Sequence, residues 1–347
     1  MSVAGSQPLV LVTGLSGFVA KHVARELLAR GYAVRGTVRS VTKGDEARAA
    51  LSAAGCETGR LEIVQADLTD DRGWGEALAG CRFVQHTASP FPASQPRDKF
   101  ALVPVAKGGT LRVAEAAKAA GVERLVLTSS VVAVYHGHDG RADPRFTEAD
   151  FSNVESPRIS SYAVSKTLAE RAAWETVEGT GMELAVLNPS LVLGPLMDRD
   201  PGTSADLVAM MMRGRLPLVP AARFGVVDVR DVAQAHVAAM ERPEAAGRRF
   251  ILTAGQRTLR EIADALGNAF PEFRPRLPRA TVPNALIEFA AKVSRRAGTL
   301  ASELDQRRTL DTTAAREGLG MDFRSPEEAI RAMAESLLRL GLVRRRR

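Results

Sequence analysis

Residues Leu9–Ala20, reading Leu-Val-Leu-Val-Thr-Gly-Leu-Ser-Gly-Phe-Val-Ala, restrict the fold of this chain more than any other stretch. Four consecutive apolar residues, Leu9 to Val12, have the unbroken character of a strand buried on both faces of a parallel sheet. A glycine turn follows at once, and Val19, Val23, Leu27 and Leu28 then recur at helical spacing through Phe18–Arg30 until Gly31 stops the helix. Strand, glycine turn and helix in this order suit a dinucleotide pyrophosphate. Gly14 and Gly17 let the backbone approach it, and the helix N-terminus offers free N–H groups.

A second strand is expected over Tyr32–Val38, and in such a unit the residue that selects the cofactor stands at its end. A chain that binds NAD tends to carry an acid about 20 residues past the glycines, where it holds the ribose 2′-hydroxyl. Here the window is Gly36-Thr37-Val38-Arg39-Ser40, with no acid. Arg39 can stack on adenine and donate to a 2′-phosphate, and Lys43 follows within reach of the same group. NADP(H) is therefore the expected cofactor.

Further strands are expected at Leu61–Ala66, Arg82–Thr87, Arg124–Thr128 and Glu183–Leu187, with helices between them. The alternation predicts an α/β fold, a Rossmann-type doubly wound parallel sheet. After Asn188-Pro189 it becomes irregular, so a smaller mixed α/β C-terminal part should carry the substrate. The expected division is residues 1–188 for cofactor, rejoined by about 224–253, and residues 189–223 with 254–347 for substrate. Thr258-Leu259-Arg260-Glu261 resembles a capping box that opens a helix to Phe270, and Asp228 or Asp231 could cap the helix that runs through Met240. Met210, Met211 and Met212 suit an adaptable core or the wall of an apolar pocket.

Candidate chemistry sits at strand ends. Asp67, after the third strand, could accept from the adenine amino group or serve only as a cap. Small residues in His86-Thr87-Ala88-Ser89-Pro90-Phe91 would let a ligand lie against the backbone. Thr128-Ser129-Ser130 places hydroxyls at the carboxyl edge of the fifth strand, so either serine is a candidate. Ser160–Val177 is expected to be helical, and Tyr162 and Lys166, four apart, then share one face. The ammonium would stabilise a phenolate and draw the tyrosine pKa toward working pH.

Composition removes several classes. The 347 residues carry a formal charge of +7, yet the basic residues are mostly spread among acidic neighbours, and only Arg344–Arg347 form a block, which reads as a solvated tail. No nucleic-acid partner is expected. No stretch has the apolar length of a membrane span and Met1–Pro8 lacks a signal-peptide pattern, so the expected location is cytoplasmic. Cys56 and Cys81 lack metal spacing and are read as reduced and structural, with no metal site expected.

Taken together these motifs resemble the extended short-chain dehydrogenase/reductase superfamily, from about Leu9 to Leu340. Thr13-Gly14-Leu15-Ser16-Gly17-Phe18-Val19-Ala20 is similar to its glycine loop, and Ser130 with Tyr162-Ala163-Val164-Ser165-Lys166 to its Ser/Tyr/Lys site. Within it the chain resembles the dihydroflavonol reductase, cinnamoyl-CoA reductase and yeast methylglyoxal/isovaleraldehyde reductase branch. The markers are Arg35-Gly36-Thr37-Val38-Arg39, the His86–Phe91 run, Lys166-Thr167-Leu168-Ala169-Glu170 and Val227–His236.

The resemblance implies a carbonyl reductase acting on an aldehyde or ketone, as monomer or homodimer. Tyr162 would be the acid, Ser130 rather than Ser129 would hold the carbonyl oxygen, and Lys166 would bind the nicotinamide ribose. It also implies cofactor contacts at Gly14, Ser16, Gly17, Phe18, Val19, Leu68, Thr87, Ala88, Ser89, Pro189, Ser190 and Val192. Pocket positions would be Phe91, Val131 and Leu191. Two features depart from the pattern. No Asn stands between Phe100 and Glu115 to serve a proton relay, and the Phe91–Asp98 and Met210–Phe224 segments lack a counterpart of the plant enzymes' substrate loops. A nucleotide-sugar epimerase or dehydratase is the alternative within the superfamily, although a dehydratase would have Thr-Asp-Glu at Thr128-Ser129-Ser130. A non-catalytic NADP-sensing protein is the alternative outside it.

Overall fold

The first strand and its helix form where the apolar pattern places them. β1 (Leu9–Val12) runs into α1 (Phe18–Ala29) through the glycine turn. The computed structural model describes residues 8–89, 96, 98–138, 145–157, 159–200, 202–291, 304 and 308–345. β2 (Ala33–Val38), β3 (Leu61–Gln65), β4 (Cys81–His86) and β5 (Arg124–Thr128) follow, alternating with α2 (Val41–Ala53), the short α3 (Trp74–Leu78) and α4 (Val103–Ala119). After α5 (Val132–Tyr135) and the two-residue β6 (Arg145–Phe146), α6 (Ser161–Val177) leads into β7 (Glu183–Pro189).

With β11 (Arg248–Leu252) all of these strands except β6 make one seven-stranded sheet in the order β11-β7-β5-β4-β1-β2-β3. Every pair in it is parallel. The strand order reverses between β1 and β4, which opens a crevice at their carboxyl ends. Alternate residues of β1 go to opposite faces, as strand geometry requires. Val10 and Val12 pack with Val23 and Leu27 of α1, whereas Leu11 packs with Val84, Leu125 and Val113 of α4. All three β1 residues are fully buried, so the sheet is covered on both sides.

The smaller part is mixed. β8 (Leu191–Leu193), β10 (Arg223–Asp228) and β12 (Gly255–Thr258) form a second sheet, with β8 parallel and β12 antiparallel to β10. β9 (Leu218–Pro220) pairs with β13 (Ala280–Val282), and β14 (Thr309–Leu310) with β6. Its core brings together α7 (Gly202–Met212), α9 (Leu259–Ala269) and α12 (Pro326–Arg339) through Val208, Met212, Ile262, Leu266, Ile330 and Met333. Met211 and Met212 are core, as the first of the two sequence readings had it. The capping box forms as expected: Thr258 accepts from Glu261's amide, and Glu261's carboxylate accepts from that of Thr258. Of the two candidate caps of α8 (Val229–Glu241), Asp228 does the work, accepting from Arg230's amide at 2.8 Å, while Asp231 is taken up by Arg324. The remaining helices are α10 (Asn284–Ala291) and α11 (Thr313–Gly318). Among the described residues no helix is long and apolar enough to cross a membrane.

Candidate active site

The crevice becomes a cleft of about 1070 Å³ that runs from the glycine turn to α6. Its glycine end is held by side chains as much as by backbone. Thr13's hydroxyl accepts from the amide of Ala88 at 3.0 Å and pairs with His86 Nδ1 at 2.8 Å, and Thr87's hydroxyl donates to Thr13's carbonyl at 2.5 Å. On the other side Thr37's hydroxyl accepts from Gly14's amide at 3.0 Å. The turn is thus tied to β4 and β2 together. Gly14 has φ +66°, and a Cβ there would lie 2.9 Å from that of Ala88, so both conformation and space require glycine. Gly17 precedes α1 without a side-chain cap, and the first turn of α1 has no acid. Its amides are therefore available to an anion.

Arg39 lines the cleft at the end of β2, and its charge adds to the hydrogen bonds that lower the Asp67 carboxyl below its ordinary value. Those bonds come first from the amide and then from the hydroxyl of Thr69, each at 2.8 Å. Asp67 therefore caps a turn as well as facing the cleft. A cradle that a Cβ would fill, an uncapped helix start and a guanidinium at the β2 end fit a dinucleotide bearing a 2′-phosphate. Lys43 does not line the cleft. It is drawn to Glu46 at 2.7 Å, with Asp200 at 3.9 Å.

At the opposite end Ser160 caps α6, accepting from Ala163's amide at 3.2 Å, and this fixes the phase of the helix. Tyr162 and Lys166 then both reach the cleft, and Lys166 Nζ donates to Thr128's carbonyl at 3.2 Å. Ser129 and Ser130, adjacent in sequence, have different partners. Ser129's hydroxyl donates to buried Glu170 at 2.5 Å, whereas Ser130's hydroxyl accepts from Val132's amide at 3.3 Å and is hydrogen-bonded to Tyr162.

Burial pushes the Tyr162 phenol up to about 12, and the bond with Ser130 opposes that shift. The sequence reading had Lys166 drawing the phenol down. Here Lys166 is itself buried, and burial lowers it to about 8 against the pull of Glu170. Desolvation of the phenol thus dominates, and Tyr162 keeps its proton.

The remaining expected positions Ser16, Phe18, Val19, Leu68, Ser89, Val131, Pro189, Ser190, Leu191 and Val192 all line the same cleft. Phe91 lies outside the described residues. Sequence reasoning missed Thr37, Tyr135, the start of α7 at Gly202, Thr203, Ser204 and Leu207, and Phe224. Thr37 stood in the window that was read only for an acid; the others carried no local signal. Cys56 and Cys81 are free thiols, and burial pushes both up, in keeping with an inert role.

A Rossmann sheet with this glycine cradle and a Ser/Tyr/Lys set across the cleft defines an oxidoreductase of the extended short-chain dehydrogenase/reductase type. The chain belongs to the NAD dependent epimerase/dehydratase family, whose model matches residues 10–253. It is 40% identical over 246 residues to cinnamoyl-CoA reductase 1 of Oryza sativa subsp. japonica, which covers 70% of this chain and 71% of that protein. Identity to ketoreductase azaE of Aspergillus niger is 35% over 300 residues, 80% of this chain and 87% of that one. Among solved structures, yeast methylglyoxal/isovaleraldehyde reductase Gre2 complexed with NADPH superposes with a TM-score of 0.80 at 27% identity, over 96% of this chain and 99% of its own.

Proposed function

We propose that this protein is an NADPH-dependent carbonyl reductase that converts an aldehyde or ketone into the alcohol. The observation that carries this reading is the placement of Ser130, Tyr162 and Lys166 at one end of a single cleft whose other end is the glycine turn and Arg39. Related proteins named as cinnamoyl-CoA reductase and ketoreductase, and a similar structure holding NADPH, support it. Bound NADPH supplies the hydride. Arg39 would take its 2′-phosphate, and the α1 amides its pyrophosphate.

Ser130's hydroxyl donates to the carbonyl oxygen and orients it. Tyr162, which holds its proton up to about 12, gives its phenolic proton to that oxygen as negative charge develops there. Lys166 stabilises the phenolate that remains. General acid catalysis of this kind contributes about 10²–10⁴-fold, and positioning supplies much of the rest. Val131, Tyr135, Leu191, Leu207 and Phe224 give the acceptor side an apolar wall, which suits an apolar carbonyl compound. In this reading residues 1–188, rejoined by α8 and β11, chiefly hold the cofactor, and the smaller part, to which β10 belongs, chiefly the acceptor, with Val131 and Tyr135 facing it across the cleft.

The test is NADPH consumption, followed by absorbance, against aromatic aldehydes, α-dicarbonyls, β-keto esters and acyl-CoA thioesters, with a nucleotide sugar in parallel. Oxidation of NADPH by at least one carbonyl compound is expected. Turnover of the nucleotide sugar with no carbonyl reduced would overturn the reading.

A further inference from the structure

Glu170 lies on α6 one turn beyond Lys166 and two beyond Tyr162, and its side chain is wholly buried. It does not line the cleft. A carboxylate so placed is tolerated only when donors satisfy it, and three do. Arg249 Nε donates to Oε1 at 2.5 Å, while Ser129's hydroxyl and Asn188 Nδ2 donate to Oε2 at 2.5 and 2.9 Å. The donors come from three places: β11, the turn after β5, and the carboxyl end of β7.

Two of the three, Ser129 and Asn188, bear directly on Ser130. Ser129 precedes it, and Asn188 Nδ2 also donates to Ser130's carbonyl at 3.2 Å. The backbone joins the same two strand ends, Ser129's amide to Leu187's carbonyl at 2.8 Å and Val131's amide to Pro189's at 3.1 Å. Arg249 is fixed in turn, since its Nη1 donates to the carbonyls of Glu148 and Asp150 and its guanidinium lies 3.8 Å from the Phe151 ring centre.

We propose that Glu170 is a positioning residue for the reduction, holding Ser129 and Asn188 so that the Ser130 hydroxyl meets Tyr162. The inference rests on the roles given above to Ser130 and Tyr162. A carboxylate is required because it only accepts, whereas a glutamine of the same size would aim its amide N–H at one of three donors. The charge has a second effect, resisting the loss of Lys166's proton.

The experiment compares kcat, carbonyl KM and NADPH affinity for Glu170→Gln, Ser129→Ala and, as a control, Glu175→Gln, an exposed carboxylate on the same helix. A misplacement of the order of 1 Å costs up to about a hundredfold, so Glu170→Gln should lower kcat by about tenfold to a hundredfold while KM and NADPH affinity stay within about threefold. Ser129→Ala removes one bond and keeps the charge, and its kcat should fall by about threefold to tenfold. Glu175→Gln should match the wild type. Wild-type turnover in Ser129→Ala, or in Glu170→Gln that still binds NADPH, would overturn the proposal. If Glu170→Gln does not fold, the Ser129→Ala result decides. Absence of carbonyl reduction by the wild type itself is a different failure, that of the functional reading on which the proposal rests.

Discussion

Replacing Gly14 by alanine should damage the protein by two separable routes. The residue sits at φ +66°, where a side chain on an L-residue costs about 1–2 kcal/mol. The added Cβ would also stand 2.9 Å from Ala88 Cβ and 3.2 Å from Ala88 Cα, an overlap that the bonds from Ala88 and Thr87 to Thr13 prevent from relaxing freely. Overpacking of that kind costs about 1–3 kcal/mol, so the sum is roughly 2–5 kcal/mol. At about 2 °C per kcal/mol for a chain of this size, melting should fall by roughly 4–10 °C. Thermal unfolding of Gly14→Ala, Ala88→Gly and the double variant forms a cycle that divides the two routes. Ala88→Gly should return the part due to the Cβ–Cβ overlap and leave the backbone part. A double variant that melts no higher than expected from adding the two single effects would refute the steric half of the argument, and a Gly14→Ala protein as stable as the wild type would refute both.

Arg39→Ala should weaken NADPH by about tenfold or more and NADH little, because only the former has a 2′-phosphate to lose, whereas Lys43→Ala should do less, its ammonium being held by Glu46. Equal losses of the two dinucleotides, measured by fluorescence titration, would show that Arg39 does not read the phosphate. Tyr162→Phe should cut turnover by about 10²–10⁴-fold with NADPH affinity unchanged; a variant that turns over normally makes the phenol a bystander. Burial lowers His22 to about 4 and His86 and His236 to about 3, so between pH 6.5 and 4 the unfolded chain binds protons that the folded chain refuses. Stability therefore falls as pH falls through that window, by roughly 3 kcal/mol per fully buried histidine at pH 4, and a melting temperature flat from pH 7 to about 4.5 would contradict it.

What was legible in the sequence was what neighbouring residues determine together. The run Leu9–Val12, the turn glycines and the helical spacing after them fixed strand, cradle and helix, because burial on both faces and a positive φ leave marks on the chain itself. The same holds for the capping box at Thr258 and Glu261 and for the four-residue step from Tyr162 to Lys166. Choices decided by distant partners were not legible. Ser129 and Ser130 are equivalent hydroxyls until Glu170, some 40 residues on, claims one of them. The direction of the Tyr162 shift depends on how deeply the phenol is buried, which periodicity does not report.

The two ends of the cleft are not independent modules, and the reason lies in α1. Besides presenting its N-terminus to the crevice, α1 sends buried Lys21 to Asp198 in an ion pair, and His22 Nε2 lies 2.9 Å from Pro195's carbonyl. Leu196, between these two partners, is bonded at its amide by Ser336 and at its carbonyl by Arg339, both on α12. The segment after β8 is therefore clamped between α1 and the helix that backs the second sheet. Asp200, two residues past the ion pair, lines the cleft, as does the start of α7 at Gly202–Ser204. Losing Asp198 would strand the buried ammonium of Lys21, so this clamp resists separation of the two regions. The cleft lining contributed by this segment and the start of α7 is consequently tied to α1 and α12 rather than carried on a separate lobe. A change in substrate preference must then come from side chains such as Leu191, Leu207 and Phe224 within that frame, while displacement of the frame would disturb the cofactor site at the same time.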